Sequence, residues 1–175
     1  YEGSLPDIEV VHYDLFVNQL VRSKPKKEFA HLEPYAKDVR YAGARIIYGF
    51  DEEYKNMLKM AQATVAKRYP DRVNEYYFSS SDKTELDWLK DELLWIEARF
   101  EDEYDAAQKY PNAVRVGRGT KHVPREAVRR IILEIWVELN KLLKAKGRYT
   151  IEQATKRLMK SSQLPAYDAI AIDEV

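Results

Sequence analysis

Two stretches of this chain repeat apolar residues at spacings of three and four, and that rhythm fixes the fold class. In the first, Leu86, Leu89, Leu93, Ile96, Phe100 and Ala107 keep step, with one beat missing at Glu103. In the second, Val128, Ile131, Ile132, Ile135, Trp136, Leu139, Leu142 and Leu143 form an unbroken stripe. Residues three and four apart share one face of an α-helix, so each stretch must bury a stripe against a neighbour. Asp82-Lys83-Thr84-Glu85 has the residues of a capping box, and Pro111-Asn112 is a stop signal. The spacing therefore predicts a helix over 83–109, about 40 Å long at the usual helical rise. Pro124 suits a first helical turn and Gly147 a C-terminal cap, which predicts a second helix over 124–146. Joined by a loop of about a dozen residues, the two should pack antiparallel as a hairpin.

The flanks carry shorter signals. Gly3, Pro6 and Asp7 mark an arm over residues 1–9. Val10, Val11, Leu15, Phe16, Leu20 and Val21 suit a helix that closes near Lys24, because Pro25 disfavours helical geometry in the residue before it. A short helical turn over 26–32 and a helix over 35–48 follow, the latter entered through Pro34. Asp51 is a good N-cap for a helix over 52–68, with Tyr54, Met57, Leu58, Ala61 and Val65 as its stripe. Residues 76–81 read as irregular. Thr150 caps a last helix running to about Lys160. The expected fold is all-α, with five or six helices around a long antiparallel hairpin and extended terminal arms. Residues 1–163 form one domain and 164–175 an extended acidic tail.

Composition removes whole classes of function. The 175 residues include no Cys, so disulfides, Cys-ligated zinc and thiol catalysis are excluded. No stretch approaches the length of a membrane span, so no membrane partner is expected. Residues 1–7 lack the basic and apolar regions of a signal peptide. With no Cys, that places the chain in the cytoplasm, or in a virion if it is viral.

Lys+Arg and Asp+Glu both number 29, yet the zero sum hides a dipole. Residues 51–110 hold 15 acids and 9 bases, whereas 111–167 hold 13 bases and 4 acids. The basic residues concentrate at Arg115, Arg118, Lys121, Arg125, Arg129 and Arg130, opposed in that window by Glu126 alone. A glycine-bearing basic loop feeding a helix N-terminus is a candidate anion or nucleic-acid site. It departs from a phosphate-binding P-loop, in which Lys follows the last Gly directly; here Thr120 intervenes. In the expected hairpin, Glu97, Glu101, Asp102, Glu103 and Asp105 would instead neutralise Arg129 and Arg130 within the fold.

Other constellations are thinner. Glu9/His12 and Glu28/His31 each have the Glu-x-x-His spacing of carboxylate-bridged metal bundles. Pro25 lies between them, and such sites need their motifs on separate long helices, so no metal site and no cofactor are assigned. Glu97, Glu101 and Asp105 at intervals of four read as a solvated or salt-bridged face. No nucleophile elbow, dinucleotide fingerprint or zinc-helix motif is found, so no catalytic residue is assigned.

Thirteen Tyr and three Trp, at 88, 95 and 136, suit either core packing or protein interfaces. In the tail, Tyr167, Ile170 and Ile172 alternate along a segment opened by Pro165, a pattern that can add to a sheet edge or lie in a groove on a partner. The expected function is a non-enzymatic assembly or adaptor subunit that oligomerises or docks on larger proteins. Helical connector or packaging components of virus particles share that general shape. The alternative is a nucleic-acid-binding protein using the basic 115–130 region, and the third reading an enzyme of unknown reaction.

Overall fold

The computed structural model describes residues 13, 16, 17, 20, 45–75, 77, 78, 83–114 and 125–160, and within them the fold is all-α. Helix α1 spans Glu52–Ala66, α2 Lys83–Arg99, α3 Glu103–Lys109, α4 Glu126–Ala145 and α5 Ile151–Met159. Tyr13, Phe16, Val17 and Leu20 are helical as well, within the helix expected to end near Lys24. Single 3₁₀ turns occupy Pro70–Arg72 and Tyr110–Asn112. Two short strands, β1 (Arg45–Ile46) and β2 (Arg148–Tyr149), pair in parallel, with Arg45 opposite Arg148 and Ile46 opposite Tyr149.

The strand pair corrects the helix expected over 35–48, whose last four residues are not helical. Ile46 and Ile47 are β-branched and suit extended backbone, and the Ile47 N–H donates to the Tyr149 carbonyl at 2.7 Å. Residues 35–44 lie outside the described residues. Asp51 also acts differently from expectation. Its Oδ2 accepts from the Tyr48 N–H at 2.8 Å, upstream of α1, and makes no bond to the helix it precedes.

The expected helix over 83–109 is two helices. Phe100 turns into the core at 4% exposure. Asp102 adopts extended backbone, and its side chain accepts from the Asp105 N–H at 2.8 Å, which starts α3 afresh. Asp105 in turn accepts from the Glu101 N–H at 3.1 Å, so the break is stabilised from both sides. A capped break satisfies backbone groups that a bare helix end would leave to water. The missing beat at Glu103 falls at this break.

Helix α4 buries Ile131, Ile132, Ile135, Trp136, Leu139 and Leu143, and its main partner is α1 rather than α2. The α1 stripe of Tyr54, Met57, Leu58, Ala61 and Val65 is buried as its spacing requires. The two helices run antiparallel. Near the start of α1, Glu53 lies 3.0 Å from Arg148, just beyond the end of α4. Past the end of α1, Arg68 reaches Glu134 and Glu138 at 2.8 and 2.9 Å. The Tyr69 hydroxyl also donates to Glu134.

Gly147, at φ 63°, ends α4 in the left-handed geometry that glycine tolerates best. Thr150 and Gln153 then form a reciprocal capping box that starts α5. A smaller core of Val17, Tyr149, Ala154 and Leu158 joins the N-terminal helix to α5. All three tryptophans pack on the larger cluster, Trp136 within it and Trp88 and Trp95 against it.

Candidate functional site

The strongest polar constellation lies where α2, α4 and α5 meet. Glu97 is buried, with 7% of its surface exposed. Its Oε2 accepts from Trp136 Nε1 at 2.9 Å and from Gln153 Nε2 at 3.1 Å, with Asn140 Nδ2 at a long 3.4 Å. Lys156 Nζ stands 3.5 Å from its Oε1. Gln153 also donates to Asn140 Oδ1 at 2.9 Å, and Lys156 donates to the Phe100 carbonyl at the α2–α3 break. A buried charge persists only when paired and hydrogen-bonded, and this carboxylate is both.

Tyr54 of α1 is buried in the core, within electrostatic reach of Glu97. Burial pushes its phenol well above the usual tyrosine range, and the negative charges of Glu152, Glu97 and Asp91 push it further the same way. The Tyr54 phenol is therefore neutral at neutral pH. No group of three or more His, Asp or Glu placed to hold a metal ion occurs among the described residues. The hydrogen bonds tie α2, α4 and α5 to one another.

Glu97 was expected on a solvated or salt-bridged face; it pairs with Lys156, but in a buried position rather than at the solvent surface. Only Glu101 and Asp105 of the three lie towards solvent, where Glu101 pairs with Lys160 at 2.9 Å and Asp105 with Lys109. The hydrogen bond from Lys109, then that from the Glu101 backbone, holds the Asp105 carboxyl below its ordinary range. Glu97, Glu101 and Asp105 thus pair with Lys156, Lys160 and Lys109, where Arg129 and Arg130 were expected.

The basic candidates separate. Arg129 is buried at 5%, and its Nη1 donates to the carbonyls of Tyr110, Pro111 and Ala113 at 3.1, 3.3 and 2.6 Å. Its guanidinium lies 5.6 Å from the centroid of the Tyr110 ring. Placed there, it binds carbonyls in and just beyond the 3₁₀ turn, which removes it from any anion-binding surface. Arg130 is exposed and pairs with Glu126 one turn back at 2.7 Å. Arg125 is exposed at the N-cap of α4. Arg115, Arg118 and Lys121 lie outside the described residues, as do Tyr167, Ile170 and Ile172, and the Glu9/His12 and Glu28/His31 pairs.

Sequence reasoning missed the junction, although two of its members left a trace. Asn140 is the polar residue set between Leu139 and Leu143 on the α4 stripe, and Gln153 is three residues after the cap at Thr150. Neither Glu97 nor Lys156 carries a sequence signal separating it from exposed neighbours. Among the described residues, no helix is long and apolar enough to cross a membrane. Comparison with protein-family models, with curated proteins and with solved structures gives no match.

Proposed function

We propose that this chain is a non-enzymatic helical subunit that works by assembling with itself or by docking on larger proteins. One observation supports the reading: Tyr104, Val114 and Met159 stand 76, 82 and 75% exposed, while the strongest polar cluster is turned inward and joins helices. Large apolar side chains held in water are the material of protein contacts, and Tyr and Met are enriched at interface centres.

The rival nucleic-acid reading keeps Arg115, Arg118, Lys121 and Arg125 but loses Arg129 to the carbonyls of the 3₁₀ turn. A gel-shift series at rising salt tests the choice, because phosphate contacts impose a steep salt slope. The assembly reading expects no retained complex with duplex or single strands at low salt. A complex that weakens steeply with salt, and whose slope flattens when Arg115, Arg118 and Lys121 are neutralised, would replace this reading with the rival.

A further inference from the structure

The N-terminal helix is held by a core of its own. Val17 is buried with Tyr149, Ala154 and Leu158, and Leu20 and Ile151 pack around them; none of these residues belongs to the larger cluster. The Tyr13 hydroxyl lies 2.9 Å from Thr155 Oγ1. Tyr13, Val17 and Leu20 recur at steps of four and three on one helix, and Ile151, Ala154 and Leu158 at three and four on α5. That is the pattern of one amphipathic helix laid along the apolar face of another. Residues 21–44 separate the N-terminal helix from β1, a connection that extended chain geometry lets reach roughly 80 Å.

Resting on the assembly reading, we propose that copies of this chain assemble by exchanging the N-terminal helix, so that Tyr13, Val17 and Leu20 of one copy lie on α5 of the other. The occupant of this α5 face is a helix that every further copy also carries. Exchange therefore remakes the burial of Val17 and the Tyr13–Thr155 hydrogen bond without new contacts. With the contacts equal, loop closure and concentration decide between the two forms. Holding the helix on its own α5 closes a long loop, at an entropic cost that grows with its length, and the dimer gains as concentration rises. Because the helix belongs to the smaller cluster, it can leave α5 while the larger core stays packed.

The chain has no Cys, so introduced thiols report this contact alone. Full-length Tyr13→Cys and Thr155→Cys chains are mixed, refolded together from urea at high concentration and treated with a short bis-maleimide. Exchange predicts a crosslinked dimer on a denaturing gel, well above what either variant gives alone. A Tyr13→Cys/Thr155→Cys chain shows that the crosslinker spans the contact, since linkage within one chain leaves it at the monomer position. Adding Val17→Asp to the Tyr13→Cys chain puts a charge in the small core and should cut the dimer band roughly tenfold or more. The milder Val17→Ala should lower it in the same direction. All three tryptophans pack on the larger cluster, so the fluorescence melt of either Val17 variant should stay near that of its parent. No dimer from the mixture, or a dimer that neither Val17 variant lowers, overturns the exchange. Light scattering on the same samples separates this failure from that of the assembly reading. A mass above one chain leaves assembly standing through another surface, and a mass of one chain overturns self-assembly as well.

Discussion

Replacing Glu97 by Ala should be among the most destabilising single changes in the described fold. The carboxylate takes the Trp136 N–H and one Gln153 amide hydrogen, and balances the Lys156 ammonium. Removing it strands the buried Trp136 donor at about 1–3 kcal/mol, takes the acceptor from one hydrogen of the half-buried Gln153 amide, and leaves a partly buried cation without its counter-ion. The Asn140 contact, at 3.4 Å, is long enough to contribute little. Lys156 keeps the Phe100 carbonyl and some access to water, which offsets part of the loss. The expected cost is about 3–5 kcal/mol, or a drop of roughly 10 °C in melting temperature for a chain of this size. Glu97→Gln keeps an acceptor for Trp136 but loses the charge, so it should cost less, about 1–2 kcal/mol. Urea unfolding followed by tryptophan fluorescence gives both values, with an unchanged slope showing that the unfolded state is not responsible. A Glu97→Ala variant within about 1 kcal/mol of wild type would refute the claim that this junction holds the helices together.

Three further outcomes follow from the same structure. Arg129→Met should cost about 2–3 kcal/mol by taking the donor from the Pro111 and Ala113 carbonyls, while Tyr110 keeps the Ala113 N–H, whereas Arg125→Met should change stability little; equal effects in thermal melts would contradict the different roles assigned to them. Burial pushes the Tyr149 phenol up to about 12, with Arg157 pulling it back, so between the ordinary tyrosine value near 10 and that value the unfolded chain ionises first and stability falls as pH rises. In an absorbance titration, the difference between wild type and Tyr149→Phe should therefore centre near 12, and a midpoint near 10 would show an accessible phenol. Deleting residues 164–175, which carry Tyr167, Ile170 and Ile172, should leave the melting temperature nearly unchanged and reduce assembly; lost stability with unchanged assembly would make the tail an internal strap.

What the sequence allowed to be read, and what it concealed, follows from the range of the forces involved. The α1 and α4 stripes were legible because helical spacing is a local property, and Gly147 and Thr150 announced their caps through backbone requirements of single residues. The pairing of α4 with α1 was hidden, since two stripes of equal quality say nothing about which third helix covers them. Asp102 is as good a cap as Asp82, but its extended backbone competes with a helix that the apolar rhythm continues across. The strand pair depends on Arg148 and Tyr149, a hundred residues away, and no local signal at Arg45 reveals it. Glu97 shows the same limit at the site, because donors from two other helices decide whether a glutamate is buried.

Light scattering on the full chain, with and without added oligonucleotides, tests the central claim most directly. Assembly through protein surfaces predicts a mass above the 20.6 kDa of one chain, rising with concentration and indifferent to nucleic acid. A mass fixed at 20.6 kDa that increases only when oligonucleotides are added would contradict the account.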